Sequence, residues 1–187
     1  MNLKTQIATS CLVLALSSAA AFSEDTVELK DENAKYTMQL GGNIAWDADV
    51  DLTGPQSTLV ARSPEGHEPL TVVSGMTYLK KNPMVMLGDE VKKKTTEGFL
   101  EGLCENYKCA DISARSYEDI GGRMAWVVTT KLDLPAYIDM GIPEAVLIAA
   151  STPDGYMQLF SLHTADGKAD ELKPILIEAF KSVTPFE

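Results

Sequence analysis

Histidines are scarce in this chain, with two in 187 residues, His67 and His163. Of three cysteines, one, Cys11, lies within the first dozen residues. So small a stock of activated groups leaves little for nucleophilic or acid–base chemistry. The motifs that carry such chemistry are missing too. There is no GxSxG elbow, no HExxH helix, and no GxGxxG or GxxxxGK loop to cradle a phosphate. His67 reads as a solvated loop residue and His163 as an interfacial strand residue, neither at ligand spacing. No catalytic residue, cofactor or metal site is assigned, and the chain is read as a non-enzyme.

Positive charge is the next shortage. Lysine and arginine number 16 against 27 aspartates and glutamates, a formal net charge of −11. A surface of that sign repels phosphate backbones and anionic membrane surfaces, so nucleic acid is not expected as a partner. It tolerates a basic partner or a cation, and serves solubility in any case. Long hydrophobic runs are absent as well. Spanning a bilayer takes about 20 apolar residues. The longest such run near the N-terminus, CLVLAL from Cys11 to Leu16, is far shorter. There is no internal repeat, low-complexity linker or second domain.

What the N-terminus does contain is ordered like a cleavable secretory signal: Lys4, the short apolar run, small residues from Ser17 to Ala21, then Glu24 and Asp25. Cleavage fits after Ser23 or Ala21, with a retained N-terminal anchor as the rival. Cys11 precedes the apolar run instead of closing it, unlike a lipidation site. The expected layout is a signal peptide over 1–23, a partly ordered, charged lead-in over 24–34, and one domain over 35–187. Removing 1–23 moves the net charge to −12 and leaves one ordinary domain, large enough to bury about 70% of its unfolded surface. The expected location is the periplasm, or outside the cell, with no stable membrane span after cleavage.

In an oxidising compartment, CENYKC acquires a meaning. Cys104 and Cys109 read as a local structural disulfide joining a helix end to a strand start. A redox pair and half of a zinc site are the alternatives. The four-residue spacing and the helix C-terminus both disfavour a stabilised thiolate, and zinc wants about four ligands.

Period-two patterning marks strands at Lys35–Leu40, Asn43–Leu52, Ser57–Arg62, Leu70–Ser74, Arg123–Leu134, Ala145–Ser151 and Tyr156–Thr164, with a short one at Ala110–Arg115. In NIAWDADVDL, Ile44, Trp46, Ala48, Val50 and Leu52 share one face, and Asp47, Asp49 and Asp51 lie on the other. Pro153-Asp154-Gly155 signals a hairpin turn. A helix starts with Asp89 as its N-cap and ends near Cys104. A second covers Lys168–Val183, with Pro174 marking its first turn. The order of strands, helix, strands, helix predicts an α+β domain, an antiparallel β-sheet with two main helices packed on one face.

Three of these features together, the central helix Asp89–Leu103 leading through a glycine turn into GGRMAWVVTT, the hairpin VLIAASTPDGYMQLFSL, and a closing helix ending AFKSVTP, resemble the PsbP-like fold, which includes periplasmic DcrB-type proteins. The resemblance implies a non-catalytic domain serving as an assembly factor, accessory subunit or adaptor. It supplies no catalytic residue.

Other signals are weaker. Asp47, Asp49 and Asp51 begin like a calcium loop, but the glycine and glutamate wanted at its sixth and twelfth positions are Leu52 and Thr58. A basic partner could dock on that acidic face. Met84 and Met86, with Met76 nearby, are the residue type that selects copper(I), and also a common filler of core gaps. LPAYIDMGIP, between two strands, is expected to be a loop, yet carries Tyr137, Ile138, Met140 and Ile142. Packing over the sheet is one reading; a partner-binding surface is the other. Together with NPMVML it would make one apolar patch if the two meet. The function expected is a periplasmic or secreted accessory or adaptor protein that binds another protein. The alternative is a small-ligand or metal carrier, for copper or calcium, in the periplasm.

Overall fold

The computed structural model describes residues 26–187. The signal assignment over 1–23 lies outside them. In chain order the elements are β1 (Val27–Asp31), β2 (Tyr36–Leu40), β3 (Asp47–Thr53), β4 (Gln56–Arg62) and β5 (Val72–Tyr78); a 3-10 turn (Pro83–Met86) and α1 (Asp89–Tyr107); β6 (Ser116–Ile120), β7 (Arg123–Lys131), α2 (Pro135–Asp139), β8 (Glu144–Ser151) and β9 (Met157–Thr164); and α3 (Ala169–Ser182) with β10 (Thr184–Pro185). The class is α+β with antiparallel sheets. A seven-stranded sheet runs β3-β4-β5-β9-β8-β7-β6, and a three-stranded one runs β1-β2-β10.

The two long helices lie on opposite faces of the large sheet, not together on one. On β8, Val146, Ile148 and Ala150 pack into the core that holds Leu176, Ala179 and Phe180 of α3. Their neighbours Ala145, Leu147 and Ala149 pack with Leu100, Leu103 and Cys104 of α1. Strands β8 and β9 are therefore buried along both faces, which explains the apolar run Ala145–Ala150 in β8, while β9 also buries Gln158, Ser161, His163 and Thr164. The small sheet completes the α3 side: Tyr36, Met38 and Leu40 of β2 join Leu59, Val73 and Phe160. There the chains approach closely. The Tyr36 hydroxyl donates to the Gly75 carbonyl at 3.2 Å, and a Cβ on Gly75 would stand 2.5 Å from that oxygen and 3.1 Å from the Phe160 ring.

Several boundaries differ from expectation. The segment assigned as lead-in contains β1, paired with β2 from Val27↔Leu40 to Asp31↔Tyr36. Its Asp31 is fully buried, with Oδ1 accepting from the Asn33 and Ala34 amides and the Ser57 hydroxyl. NIAWDADVDL is not a single half-buried strand. Ile44 and Trp46 enter the core before β3 begins, after a turn in which Gly42 and Asn43 have positive φ. Strand β3 is a sheet edge, where Leu52 stays 54% exposed. Tertiary position overrides alternation at such an edge. Residues 110–115 form no strand. An isolated bridge, Cys109↔Leu132, and the Ala110 and Asp111 amides, which donate to Lys131 O and the Thr130 hydroxyl, tie that stretch to β7, and β6 starts at Ser116.

Helix α1 runs three residues past Cys104. Its N-cap is Gly88, with Asp89 and Glu90 favourably placed in the first turn. Pro174 sits inside α3, beyond the first turn where it was expected. Cys104 and Cys109 are joined by a disulfide, with Cα atoms 4.9 Å apart. Between them Lys108 adopts the left-handed conformation that ends the helix, and the Cys109 amide donates to the Cys104 carbonyl at 2.9 Å. Among the described residues no helix is long and apolar enough to cross a membrane.

Candidate functional site

The segment between β7 and β8 is not a plain loop. Pro135 occupies the first turn of α2, where its missing N–H costs nothing. The Tyr137 and Ile138 amides both donate to the Leu134 carbonyl. At the other end Gly141, with φ of 72°, closes the helix. Its amide donates to Ile138 O, and the Ile142 amide reaches back to Tyr137 O, each at 2.9 Å. These paired bonds are a Schellman cap, which needs a residue tolerant of positive φ. The segment was expected as a loop; a proline opening and a glycine closing six residues later is the signal that would have marked the helix.

The four residues singled out there separate by exposure. Ile142, 1% exposed, belongs to the core and leaves the candidate surface. Tyr137 is half-buried. Its ring stacks on His163, with centroids 4.7 Å apart and planes 16° apart, and meets Tyr107 edge-on at 6.4 Å. Ile138 and Met140 remain exposed, at 49% and 44%. Asp139, between them in the chain, and Asp133, before the helix, are exposed as well.

Beneath the stack lies a polar chain that sequence reading did not find. His163 is 4% exposed, with Nε2 2.9 Å from the Ser161 hydroxyl, which in turn lies 2.7 Å from the Ser74 hydroxyl. Burial pushes the imidazole pKa down to about 4, so the ring is neutral at neutral pH. Its Nδ1 has no partner among the described residues, so the orienting group of a nucleophilic triad is not in place there. Ser161 and His163 alternate on β9, and Ser74 enters only through the β5–β9 register, where it faces Ser161.

His67 is half-buried in the loop between β4 and β5. Asp47, Asp49 and Asp51 line the exposed β3 edge, where Asp49 accepts from the Val50 amide and Asp51 from the Thr53 hydroxyl. Among the described residues no three His, Cys, Asp or Glu side chains converge. Met84 and Met86 are exposed while Met76 is buried, so the methionines do not share a surface. Nor do the two apolar segments meet. The 82–87 stretch abuts Gly155 through the Asn82 amide, bonded to Gly155 O at 2.8 Å. Gly155 follows β8, and 134–143 precedes it. Eight strand residues at about 3.3 Å each put the two segments some 25 Å apart.

Two antiparallel sheets with a long helix on either side of the larger one define a PsbP-like α+β fold. The chain is similar to the solution structure of cyanobacterial PsbP (CyanoP) from Synechocystis sp. PCC 6803, with a TM-score of 0.54 over 95% of this chain and 98% of that one. Identity is 13%, so the likeness is one of fold. No family model and no curated protein sequence matches the chain.

Proposed function

We propose that this is a non-catalytic accessory protein of the periplasm, or of another secreted setting, that docks another protein through the outer face of α2. One observation carries the reading. Ile138 and its C-cap neighbour Met140 stand exposed on a short helix held to the sheet by the Tyr137–His163 stack and by buried Ile142 just beyond it. A rigidly mounted apolar pair loses little entropy on binding. With exposed Asp139 between them in the chain, the partner is a protein surface with an apolar centre and a basic rim. The signal-like N-terminus and the resemblance to periplasmic DcrB-type proteins support the compartment, and the PsbP-like fold supports an accessory role.

A photo-crosslinker at exposed position 139, in protein expressed in its secreted form, is expected to capture one discrete protein. Ile138→Ala with Met140→Ala should cut recovery of that protein while a crosslinker on exposed Glu118 captures nothing. Equal recovery with and without the two alanines removes α2 from the interface. The compartment is checked by the intact mass of protein taken from the periplasm, expected without residues 1–23 and two hydrogens below the reduced value.

A further inference from the structure

A second feature lies beyond the opposite end of β8. A groove of about 620 Å³ runs between α1 and the stretch following β5. Its walls are Tyr78, Phe99, Leu103, Met157 and the helical glycines Gly98 and Gly102. Both glycines sit in the interior of α1, where glycine is unfavourable relative to alanine. Neither is forced by backbone or packing. A Cβ on either would meet nothing within 4 Å, and neither has positive φ. What their bare backbones do is widen the groove.

Some of the polar groups around it are committed. The Asn82 side-chain oxygen accepts from the Met84 amide, and the Asn82 backbone N–H donates to Gly155 O. The Asn106 side-chain nitrogen donates to Gly102 O. Exposed Lys80 and Lys81 remain at the lip. Neither forms an ion pair among the described residues, although Lys81 Nζ lies 5.2 Å from the Tyr156 ring centroid. In a chain of net charge −11, two adjacent free ammonium groups beside an apolar trough form a local site of opposite sign.

We infer that this groove binds a monomeric long-chain carboxylate, its aliphatic chain lying along Gly98 and Gly102 and its head group meeting Lys80 and Lys81. An aliphatic chain with one anionic end matches a trough of apolar walls with two ammonium groups at its lip. The volume falls within the range of small-molecule pockets. The site is independent of α2, so its success or failure leaves the docking proposal untouched.

The test is calorimetric titration of the full protein with dodecanoate below its micellar concentration, beside dodecanol as the uncharged match. Saturable one-to-one binding of dodecanoate is expected, with dodecanol weaker by at least about tenfold. Gly98→Leu and Gly102→Leu, good helix formers that fill the trough, should each abolish binding while melting at or above the parent temperature. Lys80→Glu with Lys81→Glu should weaken dodecanoate by about tenfold or more and leave dodecanol unchanged. Absence of saturable binding overturns the inference, as does binding indifferent to either leucine. Equal affinity for dodecanol overturns the anionic head group. Binding to anionic phospholipid vesicles without binding to free dodecanoate would make the surface a membrane contact and overturn the monomeric ligand.

Discussion

Tyr137 lies flat against His163, ring centroid to ring centroid 4.7 Å, and thereby ties the helix between β7 and β8 to the middle of the large sheet. One partner is half-buried and the other almost wholly so. The stack is the point where the mounting of the proposed docking helix and the titration of a buried imidazole meet.

Protonating His163 should therefore loosen the protein. Its folded pKa, about 4, is below the ordinary 6.5 because burial disfavours the charged ring. Between those values the unfolded chain binds more protons than the folded one, so stability falls as pH drops through this window and is unaffected above it. The full penalty, reached below pH 4, is about 3 kcal/mol. Thermal melts from pH 7 to pH 4 should show the parent losing more stability than His163→Phe, which keeps an aromatic ring under Tyr137. Parallel curves would dissociate the acid response from His163.

Anchoring and docking should separate by mutation. Tyr137→Ala removes a stacked, half-buried ring and is expected to cost about 1–2 kcal/mol in denaturant unfolding. Ile138→Ala and Met140→Ala, at exposed positions, should each stay within about 0.5 kcal/mol of the parent. A large loss at Ile138 would mean that it packs and does not dock.

Gly75 should tolerate no side chain while Tyr36 keeps its hydroxyl. Gly75→Ala places a Cβ 2.5 Å from that oxygen, an overpacking expected to cost about 1–3 kcal/mol. Tyr36→Phe relieves the nearer clash. The double mutant should then be more stable than the two single effects predict, a coupling that a double-mutant cycle reads directly.

Reducing Cys104–Cys109, or replacing both with alanine, should cost about 2 kcal/mol, the modest value expected for so short a loop. Hydrogen exchange should quicken in the last turn of α1 and around the Cys109↔Leu132 bridge before it does elsewhere. Unchanged protection there would show that the left-handed cap at Lys108 suffices.

Alanine at Gly98 or Gly102 should raise stability by up to about 1 kcal/mol each, since both lie in a helix interior with open space above them. Chemical denaturation of the two single variants measures this. A loss would reveal packing at the groove wall.

Much of this protein was written in local signals. The β8–β9 hairpin, the helix from Asp89, the closing helix and the cysteine pair depend on alternation, turn residues and spacing within a few residues, and each formed where those signals stood, to within a residue or a turn. α2 was expected as a loop and is a short helix, although a proline and a glycine frame Ala136 to Met140. Other features have no local cause. Alternation in β3 could not reveal that the strand would be a sheet edge, nor could the apolar run in β8 say that one helix would cover each face. Ser74 and Ser161 stand 87 residues apart and meet only because β5 pairs with β9. Ile138 and Ile142 are the same residue type four positions apart, and only the cap that turns the chain into β8 leaves one outside and the other within. Burial is decided by what arrives from elsewhere in the chain, and short-range pattern carries no record of that.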